Sequence, residues 1–419
     1  MVRSWVIWAI SAFFLFYKYA IEVSPSVMTT QLMSEFHIDA LQLGNLAGSY
    51  FLAYLILQIP VGILLDKFGP RRVTTIAILI CAIGSYVFAK STNLLSAEIG
   101  RFLTGAGAAF AAVNCLKLIS IWFPPKKFAF MAGLMMSVAM LGAVFGQAPL
   151  SLFIQAVNWR FAMEVIGLIG IVLAFLFWGV VRDESPLRGR EKDQVFPKIP
   201  VLKSLKDLLK NSQSWWLSIY SGFAFAPVMV FGGLFGVSFT KDAFMLSEHV
   251  AAQSVSLIFI GFAVGAPLLG MLSDYLGKRK SVMFFGTLLA LVMISLIIYL
   301  PEISKTFLIL AFFLFGFGIS SFLLCFTMIK EINAPGLAAT AIGFMNAFDA
   351  FFGAFSDPLA GKILDLFWDG KMENGARVFS LFAYKIAFLT IPIYLVLALI
   401  SLYWIKETKC RHTGPESLP

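Results

Sequence analysis

Charged residues are scarce in this sequence, and their scarcity indicates the solvent for which the chain is built. Only 13% of its 419 residues are Asp, Glu, Lys or Arg, whereas 59% are hydrophobic. A soluble globular domain carries about 25% charged residues. The apolar residues also fall in runs of about 20, the length that crosses a hydrocarbon core of ~30 Å. The composition therefore excludes an ordinary soluble domain and predicts a protein whose partner is the lipid bilayer.

Motifs that would support enzymatic chemistry are missing. The four cysteines have no C-x-x-C spacing, so the sequence predicts neither a disulfide framework nor a zinc site. There is no G-x-x-x-x-G-K-[ST] loop for ATP hydrolysis, and no G-x-S-x-G or H-E-x-x-H motif of a hydrolase. We therefore predict that the protein is not an enzyme and needs no cofactor and no metal.

Twelve apolar runs are long enough to cross a membrane as helices. Their approximate limits are residues 5–24, 41–65, 73–91, 94–122, 128–155, 161–181, 214–239, 250–272, 281–300, 306–329, 336–364 and 379–405. Helices are the predicted element because lipid cannot hydrogen-bond to exposed backbone groups. The first run contains Lys18 and Glu22 and lacks a small-residue cleavage site, so it is predicted to be a retained helix rather than a signal peptide.

Lysine and arginine are distributed unevenly between alternate loops. One set of loops carries Arg3 and the basic residues between Lys67 and Arg72, whereas the stretch from Ser24 to Ala40 has none. The positive-inside rule then predicts that both termini are cytoplasmic. The same bias accounts for the net charge of +9. The basic balance is therefore no indication of nucleic acid as a partner.

One polar segment divides the chain. Residues 182–213 are charged and interrupted by prolines, and the stretch 201–211 is amphipathic, as is typical of a helix on the membrane surface. The predicted domains are an N-terminal bundle (1–181), a cytoplasmic linker (182–213), a C-terminal bundle (214–405) and a cytoplasmic tail (406–419). The predicted fold class is all-α membrane protein, with twelve transmembrane helices in two pseudo-symmetric six-helix bundles.

An internal repeat relates the two halves. Glycine, acid, glycine and a basic cluster recur in the same order after the second and eighth runs, and the two acids are 274 − 66 = 208 residues apart. The repeated residues are Gly62, Asp66, Gly69, Arg71 and Arg72 in the first half and Gly270, Asp274, Gly277, Lys278 and Arg279 in the second. They are typical either of tight turns that mark topology or of paired conformational gates.

The repeated motif is similar to the loop 2–3 signature of the major facilitator superfamily. The series Arg101-x-x-x-Gly105-x-Gly107-x-Ala109 resembles its fourth-helix motif, and Gly142-x-x-x-Gly146 resembles its fifth-helix motif. With twelve spans and a central linker, the resemblance covers the whole chain. Residues 19–28 and 58–62 further resemble a proteobacterial branch of phagosomal nutrient transporters, which import amino acids or nucleosides.

The resemblance implies alternating access, in which two bundles rock about a site near the bilayer midplane. It implies that Asp66 and Asp274 gate this motion by pairing with nearby basic residues and with a helix N-terminus of the other half. The remaining glycines and basic residues of the repeat would shape those gates. It also implies a monomer.

Ionisable side chains inside the spans are the candidate binding and coupling residues, since each costs about 2.5 kcal/mol or more unless it is paired or wet. Lys18 and Glu22 are four residues apart and share a helix face. They form either a mutually neutralising pair or a charged cavity wall. Asp349, with Asn346 on the same side, is a candidate proton carrier or substrate ligand, or else a polar contact between helices. Asp357 lies two turns further along the same run.

Other polar residues are weaker candidates. Arg101, near the outer end of the fourth run, would either reach the membrane interface or contact the substrate. Tyr50, Tyr54 and Gln58 are spaced by four on the second run. They indicate either a wet face or helix packing.

The leading predicted function is secondary active transport of a small polar solute, as proton-coupled import (symport) of an amino acid or a similar nutrient. A cavity that holds Lys18, Arg101, Glu22 and Asp349 would suit a substrate with both charges. The alternative is an exporter or carrier of an organic anion such as a metal-chelating carboxylate. Arg101, Lys117 and Lys18 would then dominate the site.

Overall fold

The structure is a computed structural model that describes residues 2–124, 127–183, 208–300, 304–333 and 337–411. Long apolar helices account for almost all of it. The helices of the first half are α1 (Val2–Val23), α2 (Thr29–Phe36), α3 (Ala40–Phe68), α4 (Pro70–Lys90), α5 (Leu94–Ala108), α6 (Phe110–Trp122), α7 (Phe128–Phe145), α8 (Ala148–Val157) and α9 (Trp159–Val180).

The second half repeats this pattern and adds a short hairpin. Its helices are α10 (Ser212–Pro227), α11 (Gly236–Ala243), α12 (Glu248–Leu276), α13 (Arg279–Tyr299), α14 (Lys305–Ile319), α15 (Leu324–Glu331), α16 (Ala338–Leu366), α17 (Leu381–Ala387) and α18 (Thr390–Ser401). The strands β1 (Met372–Glu373) and β2 (Ala376–Arg377) pair antiparallel between α16 and α17.

Eleven helical segments in the described ranges are long and apolar enough to cross a membrane. The remaining predicted run, residues 336–364, forms the 29-residue helix α16, which carries the charged residues Asp349, Asp357, Lys362 and Asp365. The prediction of an all-α membrane protein with two six-helix bundles is confirmed. Most of the predicted surface helix at 201–211, and most of the linker and tail, lie outside the described residues, and the domain limits stay predictions.

Several spans consist of two helical pieces. The fourth is α5 and α6, and the seventh runs from α10 through a π-helical stretch, Val228–Phe235, into α11. Pro227 directly precedes that stretch. Since proline removes a backbone donor and its ring clashes with the preceding turn, a local change of winding is expected there.

Glycines allow the helices of the first half to approach each other closely. A Cβ added at Gly105 would lie 2.1 Å from the backbone oxygen of Tyr50, and one added at Gly142 would lie 2.2 Å from that of Phe16. No side chain fits at such distances. These glycines of α5 and α7 therefore pack against α3 and α1, as small residues do between membrane helices.

The two halves meet along two seams. In one, α16 of the second half packs along α3 of the first, and in the other α12 packs along α7. At the first seam, a Cβ at Gly44 would lie 2.6 Å from the backbone oxygen of Asp357. The space between the seams contains the cavity described next.

Candidate transport site and gates

A cavity of about 390 Å³ lies between the two halves. Helices α1, α3, α6 and α7 line it from the first half, and α10, α12, α15 and α16 line it from the second. Among the predicted site residues, Lys18, Glu22, Tyr54, Asn346 and Asp349 form part of its wall. The fold therefore brings the charged residues of α1 and α16 to one site, although more than 320 positions separate them in the sequence.

Lys18 and Glu22 form an ion pair on α1, and both side chains are almost fully buried. The Tyr50 hydroxyl donates a hydrogen bond to Glu22 Oε2 over 2.9 Å. Lys18 Nζ also lies 3.7 Å from the centre of the Tyr19 ring and 5.2 Å from that of Tyr54. The two residues are thus a neutralising pair and a part of the cavity wall at the same time.

Arg101 and Tyr50 support this pair from outside the cavity lining. The side chain of Arg101 is 1% exposed, and it donates to the backbone oxygens of Ile21 over 2.9 Å and of Glu22 over 3.3 Å. These carbonyls belong to the last turn of α1, where no helical partner is available. The guanidinium also lies 5.0 Å from the centre of the Tyr50 ring. In this conformation Arg101 does not line the cavity, and its contact with substrate stays a prediction.

Asp349 faces the cavity from α16. Its side chain is 7% exposed, and its Oδ1 accepts a hydrogen bond of 2.6 Å from the Ser221 hydroxyl on α10. Asn346 lines the same wall one turn earlier. Within the described ranges, no lysine or arginine forms an ion pair with Asp349. A buried carboxyl group without a cationic partner is the arrangement expected of a group that exchanges protons.

Besides Arg101 and Tyr50, two predicted site residues lie away from the cavity. Asp357 is buried at the seam between α3 and α16, and Gln58 is buried on α3 one turn beyond Tyr54. Neither lines the cavity wall. Their contact with a solute stays a prediction for another conformation.

Lys330 is a cavity residue that the sequence reasoning missed. It lies in the last turn of α15 and lines the cavity at the end where that helix finishes. Within the described residues it has no ion pair. It lies one residue beyond the tenth apolar run, 306–329, where a basic residue needs no special explanation.

The repeated loops lie on the membrane face that carries both chain ends, called here the terminal face. Asp66 Oδ1 is 2.7 Å from Lys117 Nζ, which also donates to the Leu65 backbone oxygen over 2.5 Å. The sequence predicted Arg71 and Arg72 as partners of Asp66. The structure differs because Arg71 turns towards α9, where its Nε donates to the Trp178 backbone oxygen over 2.9 Å.

The second copy of the repeat has the predicted pairing. Arg279 lies 2.6 Å from Asp274 and 3.0 Å from Glu331 at the end of α15. Gly69 and Gly277 have φ angles of +83° and +63°, which explains why glycine ends α3 and α12. All contacts described for Asp66 and Asp274 are to their own halves. Among the described residues, Lys278 likewise has no contact with the other half. A Cβ added at Gly62 or Gly270 would meet no atom within 4 Å.

The opposite membrane face is closed by contacts between the halves. Asp365 at the end of α16 accepts hydrogen bonds from the backbone N–H groups of Ala40 over 3.1 Å and of Leu41 over 2.8 Å, the first residues of α3. Arg377 lies 2.9 Å from the same carboxylate. Because the carboxylate sits at a helix N-terminus, the helix dipole strengthens this contact. The cavity, by contrast, extends to Lys330 at the terminal face.

Further polar contacts reinforce this closure. The hydroxyls of Thr29 and Ser238 are 2.7 Å apart, and Ser34 donates to the Asn374 backbone oxygen over 2.7 Å. Gln147 donates to the Gly232 backbone oxygen over 2.6 Å, inside the π-helical stretch. Each contact joins the first half to the second. The cavity is therefore sealed from the face opposite the chain ends.

Replacing Asp365 with alanine should loosen that seal. Hydrogen bonds to a charged group contribute about 1.5–3 kcal/mol each. Losing both bonds together should shift the ratio of sealed to unsealed molecules by about 100-fold or more. Spin labels on cysteines introduced by His37→Cys and Lys371→Cys, one in each half, would report the change as a new population at longer distance.

The control for this variant is Asp369→Ala, which removes an exposed carboxylate near the same hairpin. It should leave the distance distribution unchanged. If Asp365→Ala gave the same distribution as the parent, the contact with α3 would not hold the two halves together.

This arrangement has counterparts among known proteins. The family model described as Major Facilitator Superfamily matches residues 8–240 and 217–418. The chain belongs to the Major Facilitator Superfamily. It is therefore a multi-pass membrane protein and a secondary transporter of small solutes, not an enzyme.

Curated relatives in this superfamily include three bacterial transporters. The Probable sulfoacetate transporter SauU of Cupriavidus necator is 23% identical over 84% of this chain and 85% of its own length. The Probable galactarate/D-glucarate transporter GarP of Escherichia coli is 27% identical over 72% of this chain and 76% of its own. The Uncharacterized transporter YybO of Bacillus subtilis is 26% identical over 66% of each protein.

Solved superfamily structures have the same fold. A bacterial homolog to the human lysosomal transporter Spinster, in an inward-facing and unoccupied conformation, superposes with a TM-score of 0.74 at 17% identity, covering 96% of this chain and 95% of that one. The nucleoside transporter NupG gives a TM-score of 0.73 at 17% identity, covering 97% of this chain and 100% of that one. At such identities the likeness concerns the fold alone.

Proposed function

We propose that this superfamily member imports an amino acid or a similar small polar nutrient across the bacterial inner membrane by proton-coupled symport. The observation that carries the proposal is the placement of opposite charges around one cavity. The Lys18–Glu22 pair lines it from the first half, and Asp349 lines it from the second. A zwitterion bound there would touch both halves at once, which is what a solute must do to couple their movement.

The proposed orientation places the terminal face in the cytoplasm. This face carries the basic loops of the repeat and the chain ends, in keeping with the positive-inside rule. Under that orientation the structure is inward-facing, since the contacts of Asp365 seal the outer face. One chain supplies both halves and the complete cavity, so the proposed functional unit is a monomer.

Asp349 is the proposed proton-binding residue. It is buried, lies beside the solute cavity and has no described cationic partner. Asp349 would bind a proton from the outside and release it to the cytoplasm, and its charge would change as solute binds and leaves. Asp66 and Asp274 are the proposed gates on the cytoplasmic face, each held within its own half while the cavity is open to that side.

Replacing Asp66 with alanine should slow turnover about three- to tenfold while solute affinity stays within a few-fold. An exposed ion pair contributes only about 0.2–1 kcal/mol, and the Asp66 side chain is 79% exposed here. The expected loss arises in the state that seals the cytoplasmic face. Initial rates and half-saturation concentrations in proteoliposomes would separate the two effects, with Asp369→Ala as a surface control. A complete loss of solute binding would contradict the gating role.

The second candidate function is transport of an organic anion, for export or as a carrier of metal-chelating carboxylates. Lys330 favours it, because this lysine lines the cavity without a described ion pair. The names of the relatives SauU and GarP also point to carboxylate-bearing solutes. In that case Lys330 and Lys18 would bind the anion.

One uptake experiment distinguishes the two functions. Proteoliposomes with an imposed inward proton gradient would be supplied with labelled amino acids and nucleosides in one set and with sulfoacetate and D-glucarate in the other. Accumulation of an amino acid that a protonophore abolishes is the expected result. Accumulation confined to the anions would replace the leading proposal by the second.

A further inference from the structure

The cavity wall is divided into a charged side and an apolar side. The residues with formal charge are Lys18, Glu22, Lys330 and Asp349, which come from α1, α15 and α16. Two are basic and two are acidic, so their formal charges sum to zero while Asp349 is ionised. A dianion would enter such a cavity without a net attractive charge, whereas a zwitterion would find both signs.

The opposite side, where α7 meets α12, offers almost no hydrogen-bonding groups. From α7 it presents Met135, Met136 and Met140, with Ser137 as its polar side chain. From α12 it presents Phe259 and Phe262, followed by small apolar residues. Hydroxyl groups of a solute placed against this wall would lose their water without gaining partners, at about 1–3 kcal/mol each.

Aromatic rings extend the apolar side from α12 to α10 and α15. Phe322 lies at the centre of a cluster, with ring centroids 5.8 Å from Phe225, 5.9 Å from Phe262 and 6.1 Å from Phe326. All four rings line the cavity. Such separations are typical of favourable aromatic contacts, and the adjacent methionines adapt to irregular apolar shapes. Together they form a surface suited to a large apolar group.

We propose that the solute is an amino acid with a large apolar side chain, such as phenylalanine, leucine or methionine. Its ammonium and carboxylate groups lie towards Glu22, Asp349 and Lys18, and its side chain lies between α7, α12 and the Phe322 cluster. This inference rests on the proposed amino acid import and adds the specificity of the site. Phe322 and Met136 are specificity-determining residues, because they contact the side chain and not the charged end.

The test is competition for uptake by the full-length protein in proteoliposomes with an inward proton gradient. Burying a large apolar side chain should make phenylalanine, leucine and methionine about 10- to 100-fold stronger competitors than glycine or serine. Phe322→Ala should reduce that preference about tenfold while the weak binding of glycine stays the same. Met136→Ser is the second variant, in case Phe322→Ala folds poorly, and should reduce the preference similarly. Phe285→Ala, at a 68% exposed outward-facing ring, is the matched control.

Each outcome has a distinct meaning. Preference for the large apolar amino acids that falls in both cavity variants and not in Phe285→Ala supports the inference. Amino acid uptake in which glycine and serine compete as well as phenylalanine overturns it while the proposed import stands. Uptake of D-glucarate or sulfoacetate without any amino acid overturns the proposed import as well.

Discussion

Replacing Asp349 with asparagine should abolish the accumulation of solute driven by a proton gradient while exchange of solute across the membrane continues. Asparagine has nearly the same shape and keeps an oxygen that can accept the 2.6 Å hydrogen bond from Ser221. It cannot gain or lose a proton. Accumulation should therefore fall by about 100-fold or more, since the coupling step itself is removed.

The measurement compares two assays on the same proteoliposomes. Gradient-driven uptake reports coupling, and counterflow of labelled against unlabelled solute reports binding and movement without coupling. Asp369→Asn, an exposed carboxylate in the segment between α16 and the hairpin, controls for loss of an acid in the second half. Normal accumulation by Asp349→Asn would remove this residue from the coupling mechanism.

Replacing Lys18 alone with methionine should both destabilise the protein and stop transport. Glu22 would be left with a buried charge whose neutralising partner is gone, and breaking a buried pair in this way costs about 3–5 kcal/mol. The hydrogen bond from Tyr50 remains but cannot replace the ammonium group. The midpoint temperature of thermal unfolding in detergent should fall clearly, and uptake should be absent.

The double variant Lys18→Met/Glu22→Gln separates the structural role from the transport role. With both charges removed, the unfolding temperature should return close to that of the parent, because no uncompensated charge stays buried. Affinity for solute should still be about 10- to 100-fold weaker, since the charged ligands are lost. The partly exposed pair Lys90–Glu164, 2.7 Å apart, provides the control Lys90→Met/Glu164→Gln. If the double variant transported normally, the pair would serve only to neutralise itself.

The spans of this fold could be predicted because the bilayer requires the same feature of each one. An apolar run of sufficient length predicts a helix wherever it occurs. The predicted run 161–181 and the observed α9 (Trp159–Val180) agree to within two residues at the start and one at the end. The π-helical stretch Val228–Phe235 could not be predicted in this way. It depends on Pro227 and on a contact with Gln147 from the other half, neither of which changes hydropathy.

The candidate site was predicted best where its residues are close in sequence. The pairing of Lys18 with Glu22 follows from helical spacing alone, and so does the shared side of Asn346 and Asp349. The partner of Asp66 could not be predicted in this way. Lys117 is 51 positions away, and only the packing of α6 against α3 brings the two together. Partners from distant helices are set by tertiary packing, which one sequence does not encode locally.

Two functional candidates were missed for the same reason. Lys330 and Asp365 each stand near the end of a span, where charged residues are common and need no special explanation. Asp365 also follows Asp349 and Asp357 at intervals of eight residues, which was the available signal. Its role depends on the start of α3, more than 320 positions earlier, and nothing in the sequence of α16 indicates that neighbour.

The contact of Asp365 with α3 also affects how substitutions would be tolerated on the two sides of the seal. The second half contributes a specific carboxylate, but the first half contributes only main-chain N–H groups of Ala40 and Leu41. Every amino acid except proline supplies that donor. Substitutions of the half-buried Leu41 can therefore leave this contact intact, and at the fully buried Ala40 only the size of the side chain is restricted, whereas position 365 needs a carboxylate. The same two hydrogen bonds therefore restrict the side chain at one position of the second half but not the chemical type of side chain in the first.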